Sequence, residues 1–257
     1  MSTPALGRRA RNRAARHDQL VAAATELVTE HGLDGLTMQA VADRVDCAVG
    51  TIYTYFASKS ALMASLMSSA VTTVLGTYHR TAEDWDAFLV DRSVDEPTAS
   101  LVRILAYERL FVNLPALHPR EFEFMQLLIS TPEQYISADD VSGVMPQALT
   151  LLTETYQLLD QAVASGALAP ADDRPGDDAL RRTLRWAGAM NGTLMVSNVG
   201  GRNALPDEDA FDGRQLSELL TCDLLLAWGA PKGTLHDAVG VVDDMAAAGL
   251  LLPSPGA

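Results

Sequence analysis

The sequence predicts an all-α protein with a small N-terminal helical head followed by a larger helical domain. Apolar residues recur at intervals of three and four along most of the 257 residues, and no segment sustains the alternation expected of a β-strand. Glycine and proline separate these periodic segments and so mark the expected helix boundaries. Nearly half of the residues are hydrophobic and a fifth are charged, which is typical of a soluble globular protein.

The first sixty residues predict three short helices and the start of a fourth. The first helix spans 13–31 and ends at Gly32, because glycine accepts the left-handed backbone that closes a helix. Thr37 is the expected N-cap of the second helix, the third covers about 49–55, and Ser58 caps the long fourth helix. Two short helices joined by a tight turn, with a supporting helix in front, form a helix-turn-helix.

The rest of the chain predicts a helical domain. The fourth helix is expected to end near residue 80, and the acidic stretch 82–96 is expected to be a loop. Breakers then separate six further helices, predicted at about 97–114, 119–130, 146–166, 176–199, 212–229 and 234–250. The predicted domains are a disordered arginine-rich arm at 1–12, a helix-turn-helix domain at 13–60, an effector-binding and dimerisation domain at 61–251, and a disordered tail at 252–257.

Charge is distributed unevenly along the chain. The formal net charge of −14 argues, taken alone, against nucleic-acid binding. The first sixty residues, however, carry seven basic and six acidic side chains, and the first sixteen contain five arginines and no acid. A basic end on an acidic body concentrates the attraction for phosphate on one surface. A solvated, disordered N-terminus explains the same arginines, so charge alone leaves both interpretations open.

Several classes of protein are disfavoured. No apolar run approaches the ~20 residues that cross a bilayer, and no apolar stretch of a secretory signal follows the arginines. Cys47 and Cys222 lack disulfide or metal spacing, which suits a reducing cytoplasm. The five histidines form no pair at i, i+3 or i, i+4, and no nucleophile elbow, Walker loop or dinucleotide fingerprint occurs. We expect a cytoplasmic protein that is not an enzyme, with no metal, cofactor or membrane partner.

One continuous motif carries the functional prediction. Between residues 33 and 62 the sequence reads L-D-G-L-T-M, then V-A, then G-T-I-Y-T-Y-F and S-K-S-A-L. This pattern resembles the DNA-binding domain of TetR-family regulators (TetR/AcrR-like) at the spacing of that family. The resemblance implies a head that binds double-stranded DNA, followed by a domain that binds a small-molecule effector and forms a homodimer.

The resemblance assigns DNA contact to nine residues. They are Thr37, Ala48, Val49, Gly50, Thr51, Tyr53, Thr54, Tyr55 and Lys59. Their hydroxyl and ammonium groups suit phosphate oxygens, their methyl groups suit the major groove, and Gly50 leaves room for close approach. Tyr53 and Tyr55 also suit packing at the rim of the head, and both roles stay open. Ile52 and Phe56 are expected to pin the third helix to its neighbours.

The turn departs from the family pattern at two positions. Asp46 stands where glycine is common, and Ala48 stands where a serine commonly caps the third helix. Aspartate tolerates left-handed backbone, so the turn is expected to survive. The missing cap hydroxyl costs about 1 kcal/mol. Cys47 is expected to pack, with a redox role as the alternative.

Residues 176–229 resemble the family's last two helices, which form a four-helix bundle across a two-fold axis. Small residues on the first helix and an apolar stripe on the second give the expected dimer interface. Its residues are Leu184, Gly188, Gly192, Leu216, Leu220, Leu224 and Trp228. A purely intramolecular core is the alternative. The helix expected at 234–250 extends past the family's common end and has no assigned role.

Between the head and these helices, TetR-like proteins keep an effector cavity. The residues predicted to line it are Tyr107, Phe111, Phe124, Met125, Tyr156, Trp186, Met190 and Asn191. The same side chains also suit an ordinary core. Such a pocket predicts an apolar or amphipathic effector, a lipophilic cation included, with tyrosine and asparagine as polar anchors.

The predicted function is a sequence-specific transcriptional regulator, a repressor that a small effector releases from a palindromic operator. The alternative is an architectural or cell-division DNA-binding protein without an effector. A cavity in the larger domain, or a ligand that abolishes operator binding, separates the two hypotheses.

Overall fold

The computed structural model describes residues 7–130, 134–171, 178–200 and 213–253. This part of the chain forms ten α-helices and no β-strand, as the hydrophobic spacing predicts. The helices are α1 (Arg8–His31), α2 (Met38–Arg44), α3 (Val49–Tyr53), α4 (Lys59–Asp91), α5 (Glu96–Leu117), α6 (Pro119–Ser130), α7 (Ala138–Ala164), α8 (Ala179–Gly200), α9 (Gly213–Ala227) and α10 (Lys232–Ala247).

The chain divides into two compact units, and both α4 and α7 contribute to each of them. The first unit combines Met1–Thr73 with His118–Ala148, and the second combines Val74–Leu117 with Leu149–Ala257. This division differs from the predicted boundary between residues 60 and 61.

Polar contacts explain why α6 and the start of α7 belong with the head. Arg120 on α6 donates from Nη2 to the carbonyl oxygen of Thr29 on α1, at 3.0 Å. The backbone N–H of Ser137 donates to Oγ of Ser60 in the first turn of α4, at 2.7 Å. The first unit is therefore larger than the three-helix domain that the motif alone defines.

Helix α1 begins at Arg8, so residues 8–12 of the expected disordered arm are helical. Arginine and alanine dominate this stretch, and both are strong helix formers. Because residues 7–15 are all exposed, propensity rather than burial extends the helix. The start of the expected arm, residues 1–6, lies outside the described residues.

Helix α4 continues to Asp91, so the loop predicted at 82–96 is wrong over most of its length. Trp85 and Leu89, four residues apart on one helical face, are 1% and 2% exposed. The acidic residues on either side of Trp85, Asp84 and Asp86, are exposed. This segment is an amphipathic helix whose acidic face suggested a loop.

Two further helix boundaries differ from the prediction. Helix α7 begins at Ala138 rather than 146, with Pro146 inside the helix, and α5 continues past Pro115 to Leu117. The side chain of Ser137 caps α7 by accepting from the backbone N–H of Asp140 at 3.2 Å. In the expected tail, Leu252 packs against the core and 254–257 lie outside the described residues.

One described helix, α4, has the length and composition of a membrane span, with a mean hydropathy of 1.3 over its most apolar window. Half of that window is buried inside the protein, which is typical of a core helix of a soluble protein.

Helix α10, for which the sequence assigns no role, packs along α5 in the core of the second unit. Its buried side chains are Leu235, Ala238, Val242 and Met245. Just beyond it, the carbonyl oxygen of Leu250 accepts from Nε1 of Trp85 at 2.9 Å. An ion pair of 3.3 Å also joins Arg92 to Asp244. Helix α10 therefore covers α5 and contacts the end of α4.

Glu108, in the middle of α5, is completely buried. Neither of its carboxylate oxygens has a hydrogen-bond partner within the described part of the chain. Burial raises the pKa of Glu108 to about 7, while nearby Ser217 and Arg109 oppose the shift and Glu218 adds to it. The carboxylate thus destabilises the fold when it is ionised.

We predict that Glu108→Gln stabilises the protein at pH 8 more than at pH 5. The folded pKa lies above the usual value of 4.5, so the native state holds a proton that the unfolded state has lost. Stability therefore falls as pH rises from about 4.5 to 7, by up to about 3 kcal/mol from this group. Urea unfolding at pH 5, 6 and 8 measures the effect.

The exposed Glu83 on α4 provides the control, because Glu83→Gln removes a solvated carboxylate. An equal stabilisation by Glu108→Gln at pH 5 and pH 8 contradicts the interpretation.

Candidate functional site

The head presents a short helix, α3, on a buried support. Ile52 of α3 has no exposed surface and Phe56, just after it, is 2% exposed, so both pin the helix as predicted. Helix α2 packs against α3 and is joined to α1 by Arg44, whose Nη2 lies 2.5 Å from Glu30 Oε2. The buried face of α3 is thereby fixed, and its other face is free to contact a ligand.

The turn between α2 and α3 keeps its geometry despite its unusual residues. Asp46 adopts a φ of 49°, the left-handed conformation that the sequence predicts for it. Cys47 is half-buried, and its backbone N–H donates to the carbonyl oxygen of Ala42 at 3.0 Å. Ala48 stands at the N-cap with no side-chain hydrogen bond. The turn is therefore intact, and the cap hydroxyl common in the family is missing.

Polar groups predicted to contact phosphate lie at the surface of the head. Tyr53 is 53% exposed, and Lys59 and Thr54 are also exposed. The hydroxyl oxygen of Thr37 accepts from the backbone N–H of Ala40 at 3.0 Å, which leaves its own proton available to donate. Of the remaining predicted contacts, Ala48 is exposed and Val49 and Thr51 are half-buried.

Arg13, which the sequence places at the start of the first helix without a DNA-contact role, is part of this surface. Its Nη2 donates to the carbonyl oxygen of Thr54 at 3.0 Å. Its guanidinium also lies over the ring of Tyr55, 4.9 Å from the centroid. The contact joins α1 to residues 41 positions away and places a positive charge beside the end of α3. No local sequence signal connects Arg13 with Thr54, because the contact depends on how α1 packs beside α3.

Gly50 lies on the exposed face of α3. Apart from its neighbours along the helix, no atom of the described protein lies within 4 Å of the position that a Cβ would occupy. Packing within the chain therefore does not require glycine here. An approaching DNA backbone does provide a reason, because it needs the space that a side chain would fill.

A hydrogen-bonded cluster fixes the first turn of α4, next to Lys59. The hydroxyl of Ser60 donates to Asp140 on α7, and the hydroxyl of Ser137 donates to the same carboxylate oxygen at 2.7 Å. These two hydroxyls lower the pKa of Asp140. The start of α7 therefore holds the end of α4 that carries the predicted phosphate contact.

The residues predicted to line one effector pocket are divided between the two units. Phe124 and Met125 are buried on α6 of the first unit, at 2% exposure each. In the second unit, Tyr107 lies edge-on to Tyr78 at 5.0 Å between centroids and 5.6 Å from Trp186. These rings form a packed aromatic cluster.

Tyr107 and Phe111 line a narrow apolar gap of about 10 Å³. A gap of this size holds at most one water molecule. Of the other predicted residues, Met190 is buried, Tyr156 is 38% exposed, and Asn191 donates from Nδ2 to the carbonyl oxygen of Ala187 at 2.9 Å. The apolar interior is thus filled by its own side chains.

Three of the seven predicted interface residues, Leu184, Gly188 and Leu220, are exposed on α8 and α9. Leu184 is 51% exposed, and Gly188 meets no atom within 4 Å of a Cβ position. Leu220 is 36% exposed. Gly192, Leu216 and Leu224 are half-buried, and Leu224 packs against the core. The prediction that Trp228 lies in the interface is wrong, because this side chain is only 4% exposed. Trp228 packs in the core of its own chain, with the guanidinium of Arg182 over its ring.

A short helix pinned by buried side chains behind a tight turn defines the head as a helix-turn-helix DNA-binding domain. Residues 20–66 match the family described as bacterial regulatory proteins, tetR family. The head of this chain is therefore similar to that family over residues 20–66, as the motif resemblance predicts.

A curated protein is also similar to part of this chain. The HTH-type transcriptional regulator YvdT of Bacillus subtilis is 29% identical over 85 residues, which is 32% of this chain and 43% of YvdT. The chain thus spans less than half the length of this curated relative.

Two solved structures share the fold over most of the chain. SmeT, the repressor of the Stenotrophomonas maltophilia multidrug efflux pump SmeDEF, is 18% identical with a TM-score of 0.53, over 85% of this chain and 92% of SmeT. RolR in complex with resorcinol is 16% identical with a TM-score of 0.53, over 91% of this chain and 95% of RolR. At these identities the likeness shows the fold alone.

We predict that Gly50→Ala weakens DNA binding without destabilising the protein. The added methyl group meets no protein atom within 4 Å and removes a flexible glycine, which stabilises a helix by up to about 1 kcal/mol. Thermal unfolding and fluorescence anisotropy with duplex DNA measure the two effects separately.

Gly143→Ala is the matched control, because Gly143 is an exposed glycine within α7 that also has an open Cβ position. Unchanged DNA affinity in Gly50→Ala would remove Gly50 from the interface.

Proposed function

We propose that this protein is a homodimeric repressor that binds a palindromic operator through α3 and leaves it when a small effector binds the second unit. The exposed face of α3 carries the proposal. Gly50 leaves space for a DNA backbone there, while Tyr53, Thr54 and Lys59 provide donors to phosphate. The function requires no catalytic step and no cofactor, and it places the protein in the cytoplasm with DNA.

Apolar surface on α8 and α9 supports dimerisation. Leu180, Leu184 and Gly188 follow one another at four-residue intervals, and both leucines are more than half exposed. On the adjacent α9, Leu219 is 57% exposed. Contiguous exposed apolar surface of this kind marks an interface, and a second copy presents a matching stripe under two-fold symmetry. Two heads about 34–36 Å apart then reach successive major grooves.

Continuity of α4 supports control by an effector. Lys59 begins this helix, and Tyr78 and Trp85 on the same helix belong to the aromatic core of the second unit. A ligand that shifts α4 in the second unit therefore acts on the helix that carries the phosphate contact. A coupling of about 1–3 kcal/mol changes operator occupancy severalfold. RolR, which shares the fold, binds resorcinol and so provides a precedent for a small-molecule ligand.

Selection of the purified protein against random duplexes tests the proposal. Enrichment of one palindromic site, bound by a dimer, supports it. Salt-sensitive binding without sequence preference would favour an architectural DNA-binding protein instead. No binding to any duplex contradicts the proposed function.

Lys59→Ala is expected to weaken binding to operator and random DNA alike. One phosphate contact is lost per head, so the slope of log K against log salt becomes shallower by about 1 per head. Titrations at several salt concentrations measure the slope. Lys232→Ala is the control. Lys232 is the only other lysine of the chain, and it is exposed on α10. A slope unaffected by Lys59→Ala excludes this contact.

Leu184→Glu is expected to convert the dimer to monomers and to abolish tight operator binding. A carboxylate at a position that is 51% exposed in the single chain is tolerated in the monomer but is desolvated in the interface. Sedimentation velocity and operator titration measure both effects.

Val90→Glu on α4 is the matched control, because Val90 is a 77% exposed apolar residue on a different helix. A Leu184→Glu protein that stays dimeric rules out this face as the interface.

A further inference from the structure

The second unit contains a cleft of about 150 Å³ between α4, α5 and α7. Engineered protein cavities of roughly this volume admit benzene. Its apolar and aromatic lining includes the buried residues Tyr78, Trp85 and Leu158. Its polar lining consists of Asp86, Arg103, Glu154, Gln157 and Gln161. The cleft thus has space for a compact molecule, unlike the filled apolar gap beside Tyr107.

The charges that line the cleft favour a cation. Asp86 from α4 and Glu154 from α7 are its two carboxylates, and Arg103 is its one guanidinium. Arg103 donates from Nε to Asp86 Oδ1 at 2.7 Å and from Nη1 to Glu96 Oε1 at 2.9 Å. The guanidinium is therefore shared between two carboxylates. The lining has a formal excess of one negative charge, and Glu96 adds another beside it.

The carboxylates keep acceptor capacity for a ligand. Glu154 Oε1 lies 2.9 Å from Nε2 of His79, which uses one of about four acceptor sites on that carboxylate. The side chain of Glu154 is only 18% exposed, so a charge placed against it is less screened by water than at an open surface. The carboxamides of Gln157 and Gln161 add hydrogen-bonding groups on the same helix.

The aromatic lining strengthens the preference for a cation. The rings of Tyr78 and Trp85 lie 6.1 Å apart between centroids and tilt by 58°. Tyrosine and tryptophan attract a cation held within about 6 Å of the ring. A neutral ligand lacks the ionic attraction to the carboxylates, and an anionic ligand is repelled by them.

Tyr78 separates the cleft from the narrow apolar gap, since its side chain lines both. Beyond it lie Phe111, Leu114 and Leu151. Rotation of this one side chain would open an apolar continuation behind the charged cleft. Because Tyr78 is a residue of α4, a ligand that displaces it acts directly on that helix.

We propose that this cleft binds the positively charged group of a compact aromatic or aliphatic amine, with Asp86 and Glu154 as its counter-charges and Tyr78 as the movable wall. This inference rests on the proposed function, in which an effector binds the second unit. It narrows the effector from any apolar or amphipathic molecule to an organic cation.

Isothermal titration calorimetry of the DNA-free protein at pH 7 tests the proposal with three probes of equal shape. Phenethylamine is cationic, phenethyl alcohol is neutral and phenylacetate is anionic. We expect the amine to bind at least about tenfold more tightly than the alcohol, and phenylacetate not to bind. In the double variant Asp86→Asn with Glu154→Gln, the preference for the amine should disappear while helical content by circular dichroism stays unchanged.

The matched control is Asp84→Asn with Asp160→Asn, which removes exposed carboxylates from the same two helices outside the cleft. Equal affinity for amine and alcohol overturns the proposal. So does an unchanged preference in the double variant, or no binding of the amine at about 10 mM.

Operator binding of the ligand-free protein is measured separately by anisotropy. A protein that binds its operator but not the amine refutes the cation site and leaves the proposed regulator intact. A protein that binds the amine but no DNA refutes the regulator and leaves the cation site.

Discussion

The structure depends on the continuity of α4. Over its 33 residues, about 50 Å at 1.5 Å per residue, this helix supplies buried side chains to both compact units. Leu62 and Leu66 pack in the first unit, and Trp85 and Leu89 pack in the second. Because apolar residues recur along its whole length, a break in the helix would expose core surface on one side or the other. Burial thus keeps α4 in one piece, and its first turn stays connected to the aromatic cluster of the second unit.

Local sequence predicted the head well, because its elements are fixed by local chemistry. Thr37 caps α2, Asp46 adopts the left-handed turn, and Ile52 and Phe56 are buried as expected. The charges of the acidic stretch after residue 80 suggest a loop, whereas the four-residue spacing of the buried Trp85 and Leu89 makes it a helix. Asp86 and Trp85 of the cleft were hidden within that predicted loop.

Contacts between residues that are far apart in the sequence could not be predicted from it. Ser60 and Asp140 are separated by 80 positions, and Arg13 and Thr54 by 41. No periodicity connects such pairs, since each depends on how whole helices pack. The same holds for the effector pocket. The aromatic and methionine residues predicted to line it are mostly core, while the open cleft combines charged and amide side chains with Tyr78, Trp85 and Leu158, which form no sequence motif.

A filled apolar interior and an open polar cleft imply different costs of binding. Displacing Tyr78 separates its ring from Tyr107, and an aromatic pair of this geometry contributes about 0.5–1.5 kcal/mol beyond its buried area. A ligand confined to the cleft avoids that cost and leaves α4 unmoved. A ligand large enough to displace Tyr78 loses some affinity in moving the helix. The most tightly bound molecule therefore need not be the strongest effector.

Helix α5 is covered on most sides by other helices of the second unit. Its residues 104–108 are buried consecutively, so little of its surface faces water. Helices α8 and α9 cover part of its circumference and α10 covers another part. Without α10, the apolar side chains of α5 that it covers would face water. The composition of α5 thus makes the solubility of the second unit depend on α10.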